Sequence, residues 1–170
     1  MFLNYIRKFF VKRYLKNNLK SSKSIVFTKD LKSVGLLIDE SKFDESENLV
    51  SEIIAQGIDE QCIKVVAFRN TLDKKESYSF SVFEKNSVNW NGKIKDAALH
   101  EFSAKEFDLL ISYYDTNNEI LEMVTSLSNA KFKVGFEASE RKLNQLVIKT
   151  NLQNYKLFIF ELFKYLKSIK

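Results

Sequence analysis

The chain has no proline, four glycines, one cysteine and one histidine, and each scarcity excludes something. Without proline there is no rigid extended linker of the polyproline kind. Gly35, Gly57, Gly92 and Gly135 are scattered, so the glycine-rich turn whose amides approach phosphate in common nucleotide-binding loops is missing. Cys62 alone cannot form an internal disulfide, and a cytoplasmic location is expected. One cysteine and His100 cannot furnish a structural zinc site, and no cofactor is expected. No run approaches the roughly 20 uncharged apolar residues of a membrane-spanning helix. The opening Met1-Phe2-Leu3-Asn4-Tyr5-Ile6-Arg7-Lys8 interleaves charge where a secretory signal needs an unbroken apolar centre, so neither a bilayer span nor a cleaved leader is expected.

What is present points to a folded domain. The 170 residues are 45% hydrophobic and include 15 Phe and 7 Tyr, enough for one aromatic-rich core and far too apolar for a disordered chain. Charge is partitioned. Up to Lys29 there are eight basic residues and no acid; the remaining nineteen basic residues face all twenty-two acids, a formal −3. Attraction to polyanions is therefore concentrated at the N-terminus.

Residues 2–19 carry Phe2, Leu3, Ile6, Phe9, Phe10 and Tyr14 near the helical period, with Lys8, Lys12, Lys16 and Lys20 spaced by four, which predicts an amphipathic helix with a basic stripe. Lys20-Ser21-Ser22-Lys23-Ser24 reads as a hinge. The expected division is a basic helix and hinge at 1–23 and a single α/β domain at 24–170. Strands are predicted at Val34–Asp39, Cys62–Phe68, Tyr78–Phe83, Asp108–Tyr114, Lys131–Phe136 and Gln145–Lys149. A helix is predicted from Ser41 to Gln56, ended by Gly57. Thr116 with Glu119 and Thr150 with Gln153 form capping-box patterns for two more, the last burying Tyr155, Phe158, Ile159, Leu162 and Leu166. Strands as apolar as Val34-Gly35-Leu36-Leu37-Ile38, alternating with helices, predict a Rossmann-like, mostly parallel sheet with helices on both faces. The alternating Tyr78–Phe83 fits an edge, and the stretch from Glu84 to His100 has no clear pattern.

In open sheets of this kind ligands bind beyond the carboxyl ends of the strands. Asp39, Glu40 and Asp115 fall there and define a candidate strand-end pocket; with Glu137 they also raise the question of a magnesium site, against the plainer reading of helix caps. His100 has Glu101 beside it, but neighbours in sequence do not generally face one another, which favours a structural histidine over a catalytic base. Cys62 reads as a small buried hydrophobe, and Trp90, in a polar setting, as a loop anchor or a partner contact.

Phe107-Asp108-Leu109-Leu110-Ile111-Ser112-Tyr113-Tyr114-Asp115, Ala130-Lys131-Phe132-Lys133-Val134-Gly135-Phe136 and the terminal Glu161-Leu162-Phe163-Lys164-Tyr165-Leu166-Lys167 resemble an uncharacterised family of Bacteroidota proteins over nearly the whole chain. That resemblance implies no activity. More distantly, the order of the first two segments is similar to the N-terminal half of heptosyltransferase-like glycosyltransferases, which bind the nucleotide-sugar mainly through a second Rossmann domain. The chain is too short to hold that domain, so the likeness implies a degenerate or repurposed half and carries over no catalytic residue.

The expected function is a non-enzymatic interaction protein contacting RNA or a ribosomal particle through Arg7, Lys8, Lys12, Arg13, Lys16 and Lys20. One alternative is peripheral attachment to the inner membrane by the same helix, with Phe2, Leu3, Ile6, Phe9 and Phe10 inserted. Another is a small-ligand binder or degenerate sugar enzyme using the strand-end acids; the plainest alternative docks the helix on the domain. No sequence-specific DNA motif is present, and the oligomeric state and strand order are not set by these patterns.

Overall fold

A computed structural model describes residues 31–89, 91–137 and 143–168. The expected N-terminal helix, its six basic residues, the hinge and Trp90 lie outside the described residues. Within them, six strands run β1 (Val34–Asp39), β2 (Ile63–Phe68), β3 (Ser81–Phe83), β4 (Leu109–Tyr113), β5 (Phe132–Phe136) and β6 (Leu146–Ile148). Every pairing is parallel and the order is β3-β2-β1-β4-β5-β6. The chain builds outward from β1 to one edge and then restarts beside β1 toward the other, the doubly wound arrangement of dinucleotide-binding domains. β3 is an edge strand, as its alternation predicts, though it holds only the last three residues of the predicted run.

Among the described residues four α-helices cover the sheet: α1 (Ser46–Ala55), α2 (Ala97–Ala104), α3 (Glu119–Leu127) and α4 (Tyr155–Ser168). Leu49, Val50 and Ile53 of α1 and Phe158, Ile159, Leu162 and Phe163 of α4 pack with Val34, Leu36 and Ile38 on one face. Leu99 and Phe102 of α2 and Leu121, Met123 and Val124 of α3 pack with Leu37 and Leu110 on the other. Alternate residues of a strand point to opposite faces, so β1 feeds both layers and is buried along its whole length.

At Gly35 the face is occupied from elsewhere. A Cβ added there would stand 2.7 Å from Cδ2 of Phe107, whose ring fills the space a side chain would take. Glycine is thus required by close approach rather than by backbone conformation. Gly57, by contrast, has φ +94 just past the end of α1, a left-handed cap that L side chains rarely adopt.

Several element ends differ from the sequence reading, and each difference has a physical reason. The first helix starts at Ser46 rather than Ser41, because the Asp39 carboxylate accepts the Ser41 amide (3.1 Å) and its carbonyl accepts the Lys42 and Phe43 amides (3.2 and 3.1 Å), curling 41–43 into a turn. The cap of α3 is Asn118, whose side chain accepts from the Ile120 and Leu121 amides, and not Thr116. α4 begins at Tyr155, beyond the predicted Thr150 cap, since Asn151 turns the chain by accepting the Asn154 amide and the Leu152 carbonyl accepts the Tyr113 hydroxyl at 2.6 Å. On α4 Phe163 is buried, whereas Tyr155 and Leu166 are only half-buried. Cys62 ends a short 3-10 turn before β2 and is half-buried against the core. The patternless stretch 84–100 holds a second such turn, an isolated bridge from Val88 to Ile94, and the start of α2, capped by Asp96.

At the amino ends of the strands Asp108 joins three of them. Its Oδ2 accepts from the Lys32 amide (3.0 Å) and the Ser33 hydroxyl (3.4 Å), and its Oδ1 from Lys131 Nζ (2.7 Å). Burial alone would raise this carboxyl, but the hydrogen bonds from Lys131 and Lys32 outweigh it and hold it below the ordinary carboxylate value.

Two outcomes are expected. Gly35→Ala, which drives a methyl into Phe107, should lower unfolding free energy by about 1–3 kcal/mol in urea titrations. Because the folded Asp108 carboxyl is depressed, the stability it contributes is present above the unfolded value near pH ~4 and is lost as pH falls through the lower folded value. Asp108→Asn should therefore flatten the acid limb of a plot of denaturation midpoint against pH.

Candidate functional site

In a sheet wound this way the crevice for a ligand opens outside the carboxyl ends of β1 and β4, where the chain reverses direction. A cleft of about 450 Å³ lies there. Four loops line it: Asp39, Ser41 and Lys42 after β1, Phe68 and Asn70 at the end of β2, Lys85 after β3, and Thr116 through Ile120 after β4.

Asp39 forms the wall nearest the sheet. It is 1% exposed and is the one buried carboxylate among the described residues. Desolvation pushes its carboxyl above the ordinary value, the Ser41 amide and Lys42 ammonium oppose that, and the charge of Asp115 adds a smaller push. The Ser41 hydroxyl accepts from the Asn70 amide at 2.8 Å, which ties the β1 and β2 loops together across the mouth. From the other side α3 presents its N-terminus, although the Ile120 and Leu121 amides are already bonded to Asn118.

The three acids expected to share a pocket are separated. Glu40, one residue beyond Asp39, turns the other way and accepts from Arg69 Nε at 2.9 Å; the same guanidinium reaches Glu76 at 3.0 Å and lies 4.6 Å from the centre of the Tyr78 ring. Glu40 belongs to a second, acid-lined cleft of about 460 Å³ with Asp44, Glu45, Glu47, Glu76 and Arg69. Asp115 is half-exposed and does not line the switch-point cleft; its charge adds to the burial that raises the Tyr113 phenol. Glu137 lies 4.0 Å from Lys149. Among the described residues no three His, Cys, Asp or Glu side chains are grouped to hold a metal ion, so the magnesium arrangement does not form.

His100 is exposed on α2, and Glu101 faces Lys64 at 3.6 Å rather than the imidazole. Sequence reasoning set Ser41, Thr116 and Asn117 at the strand ends without giving them a role there, and missed Lys42 and Asn70 as cleft residues. Their signal was position alone, within three residues of a predicted strand end. Lys85, two residues past the predicted strand end at Phe83, carried the same signal, and the pairing of β3 with β2 brings it to the cleft.

Strand order and cleft together define a doubly wound α/β protein with a polar site at its switch point. The chain belongs to a family of unknown function, DUF6913, whose model matches residues 7–169. No curated protein and no solved structure matches it. Among the described residues no helix is long and apolar enough to cross a membrane.

The wall carboxylate gives a direct test. Asn at position 39 keeps an oxygen for the Ser41 amide but removes the desolvated charge. Asp39→Asn should therefore be as stable as the parent at pH ~7, or more stable by up to about 1 kcal/mol. With a raised folded pKa the parent gains stability as pH falls through that value toward the unfolded one near ~3.9, so the advantage should vanish by about pH 4. Urea midpoints at the two pH values measure it.

Proposed function

We propose that this protein is a non-enzymatic interaction protein that contacts RNA or a ribosomal particle through Arg7, Lys8, Lys12, Arg13, Lys16 and Lys20. The observation that carries the reading is the charge partition: eight basic residues without an acid up to Lys29, joined to a remainder of formal charge −3. A segment of that composition binds phosphate backbones by releasing counterions, and its interleaved aromatics offer faces on which unpaired bases stack. Its acidic remainder limits non-specific adhesion elsewhere.

The entry point of the basic segment is compatible with this role. Lys32 and Ser33 bond to Asp108 before β1 begins, so the segment joins the domain at the amino ends of the strands, opposite the switch-point cleft. The sugar-enzyme reading, a degenerate glycosyltransferase half, has less behind it, since only one of its three acids lines the cleft.

Fluorescence anisotropy with a labelled single-stranded RNA of about 20 nucleotides tests the assignment. With six contacts, affinity should fall by about two to three orders of magnitude between about 50 and 200 mM salt. Replacing the six basic residues by Gln should abolish both binding and its salt dependence. Salt-independent binding, or none, would refute the RNA reading. Binding to phosphatidylglycerol vesicles in place of RNA, lost on changing Phe9 and Phe10 to Ser, would instead establish attachment to the inner-membrane surface.

A further inference from the structure

We propose that the switch-point cleft binds a small phosphorylated polyol, with Lys42 and Lys85 taking the phosphate and Asp39 accepting hydrogen bonds from the hydroxyls. The volume, about 450 Å³, lies within the range of small-molecule pockets. Its chemistry divides into two parts.

The first part is cationic. Lys42 and Lys85 enter from separate loops; neither forms a salt bridge among the described residues, although the Lys42 charge acts on Asp39. Most cations near the other strand ends are committed: Arg69 to Glu40 and Glu76, Lys149 to Glu137. Two lysines that border one concavity can contact a doubly charged anion from two sides, while the carboxylates on the same lining are Asp39 and Glu119.

The second part is made of acceptors and amides. A carboxylate has about four acceptor positions. Among the described residues Ser41 is the only hydrogen-bonding partner of the Asp39 carboxylate and Lys42 adds a favourable charge, which leaves acceptor positions on the carboxylate for further donors. Hydroxyl groups of a ligand supply such donors. Asn70, Thr116 and Asn117 offer both donors and acceptors around them.

The apolar lining sets a limit. Phe68 is buried and Ile120 is the other large apolar contributor, so the cleft has no exposed aromatic face for a base. That favours a sugar phosphate over a nucleotide and separates this site from the RNA reading, on which it does not depend.

The experiment is a titration of the intact ¹⁵N-labelled protein with ribose 5-phosphate, ribose and inorganic phosphate, each alone. Ribose 5-phosphate should give saturable shifts at the amides of Ser41, Asn70, Thr116 and Asn117, with affinity at least about tenfold above either fragment. Charge reversal at the exposed pair, Lys42→Glu with Lys85→Glu, should remove the shifts while leaving the rest of the spectrum in place. The six-Gln variant of the basic segment should bind ribose 5-phosphate unchanged, which keeps this result distinct from that of the RNA titration. Equal affinity for phosphate and ribose 5-phosphate would reduce the cleft to an anion hole and overturn the assignment. Shifts elsewhere on the domain, or none with ribose 5-phosphate, would also overturn it.

Discussion

Because Val34 to Asp39 has no exposed face, every other element has to be arranged around it. Its parallel neighbours β2 and β4 satisfy its backbone, and four helices in two layers exclude water from its side chains. Crossovers between parallel strands need intervening chain, which places helices on the faces and loops at the strand ends. Gly35 shows how tight the arrangement is, since the Phe107 ring before β4 occupies the place of its side chain. The Asp108 carboxylate then fixes the relative start of β1, β4 and β5 from the amino side.

The same constraint creates the site. A strand buried on both faces must end where the layers end, and the first polar residue of β1, Asp39, falls at that boundary, still buried but beside solvent. Its carbonyl and carboxylate collect the next amides and curl the chain, which delays α1 and swings Ser41 and Lys42 into the cleft. Glu40, pointing to the opposite side, is captured by Arg69. Adjacent acids thus receive unrelated environments, one desolvated and facing the cleft, one paired with a guanidinium. Period-two alternation at the strand end separates them.

The strands were legible because burial on both faces leaves long runs of Val, Ile, Leu and Phe with little else to explain them. The helix starts were harder. Thr116 and Thr150 satisfy capping patterns as well as Asn118 and the Asn151 turn do, and the choice was made by tertiary contacts, such as the Tyr113 hydroxyl on the Leu152 carbonyl. Three strand-end acids on two loops looked equivalent in sequence because a linear reading carries no direction for side chains beyond a strand. Lys85 stands just past the predicted end of an edge strand, and its place at the cleft was decided by the pairing of that strand with β2.

By itself the sequence determined the class of the protein: an α/β fold, a parallel sheet covered on both faces, and a charge partition that puts the cationic residues without acids at one end. Those properties are sums over many residues or follow local periods, so they survive without knowledge of neighbours. The tertiary structure alone decided the strand order, the point at which the winding reverses, and which polar side chains share a cleft. These depend on pairings between residues far apart in the chain, and the free energy that selects them comes from packing both faces of the central strand at once.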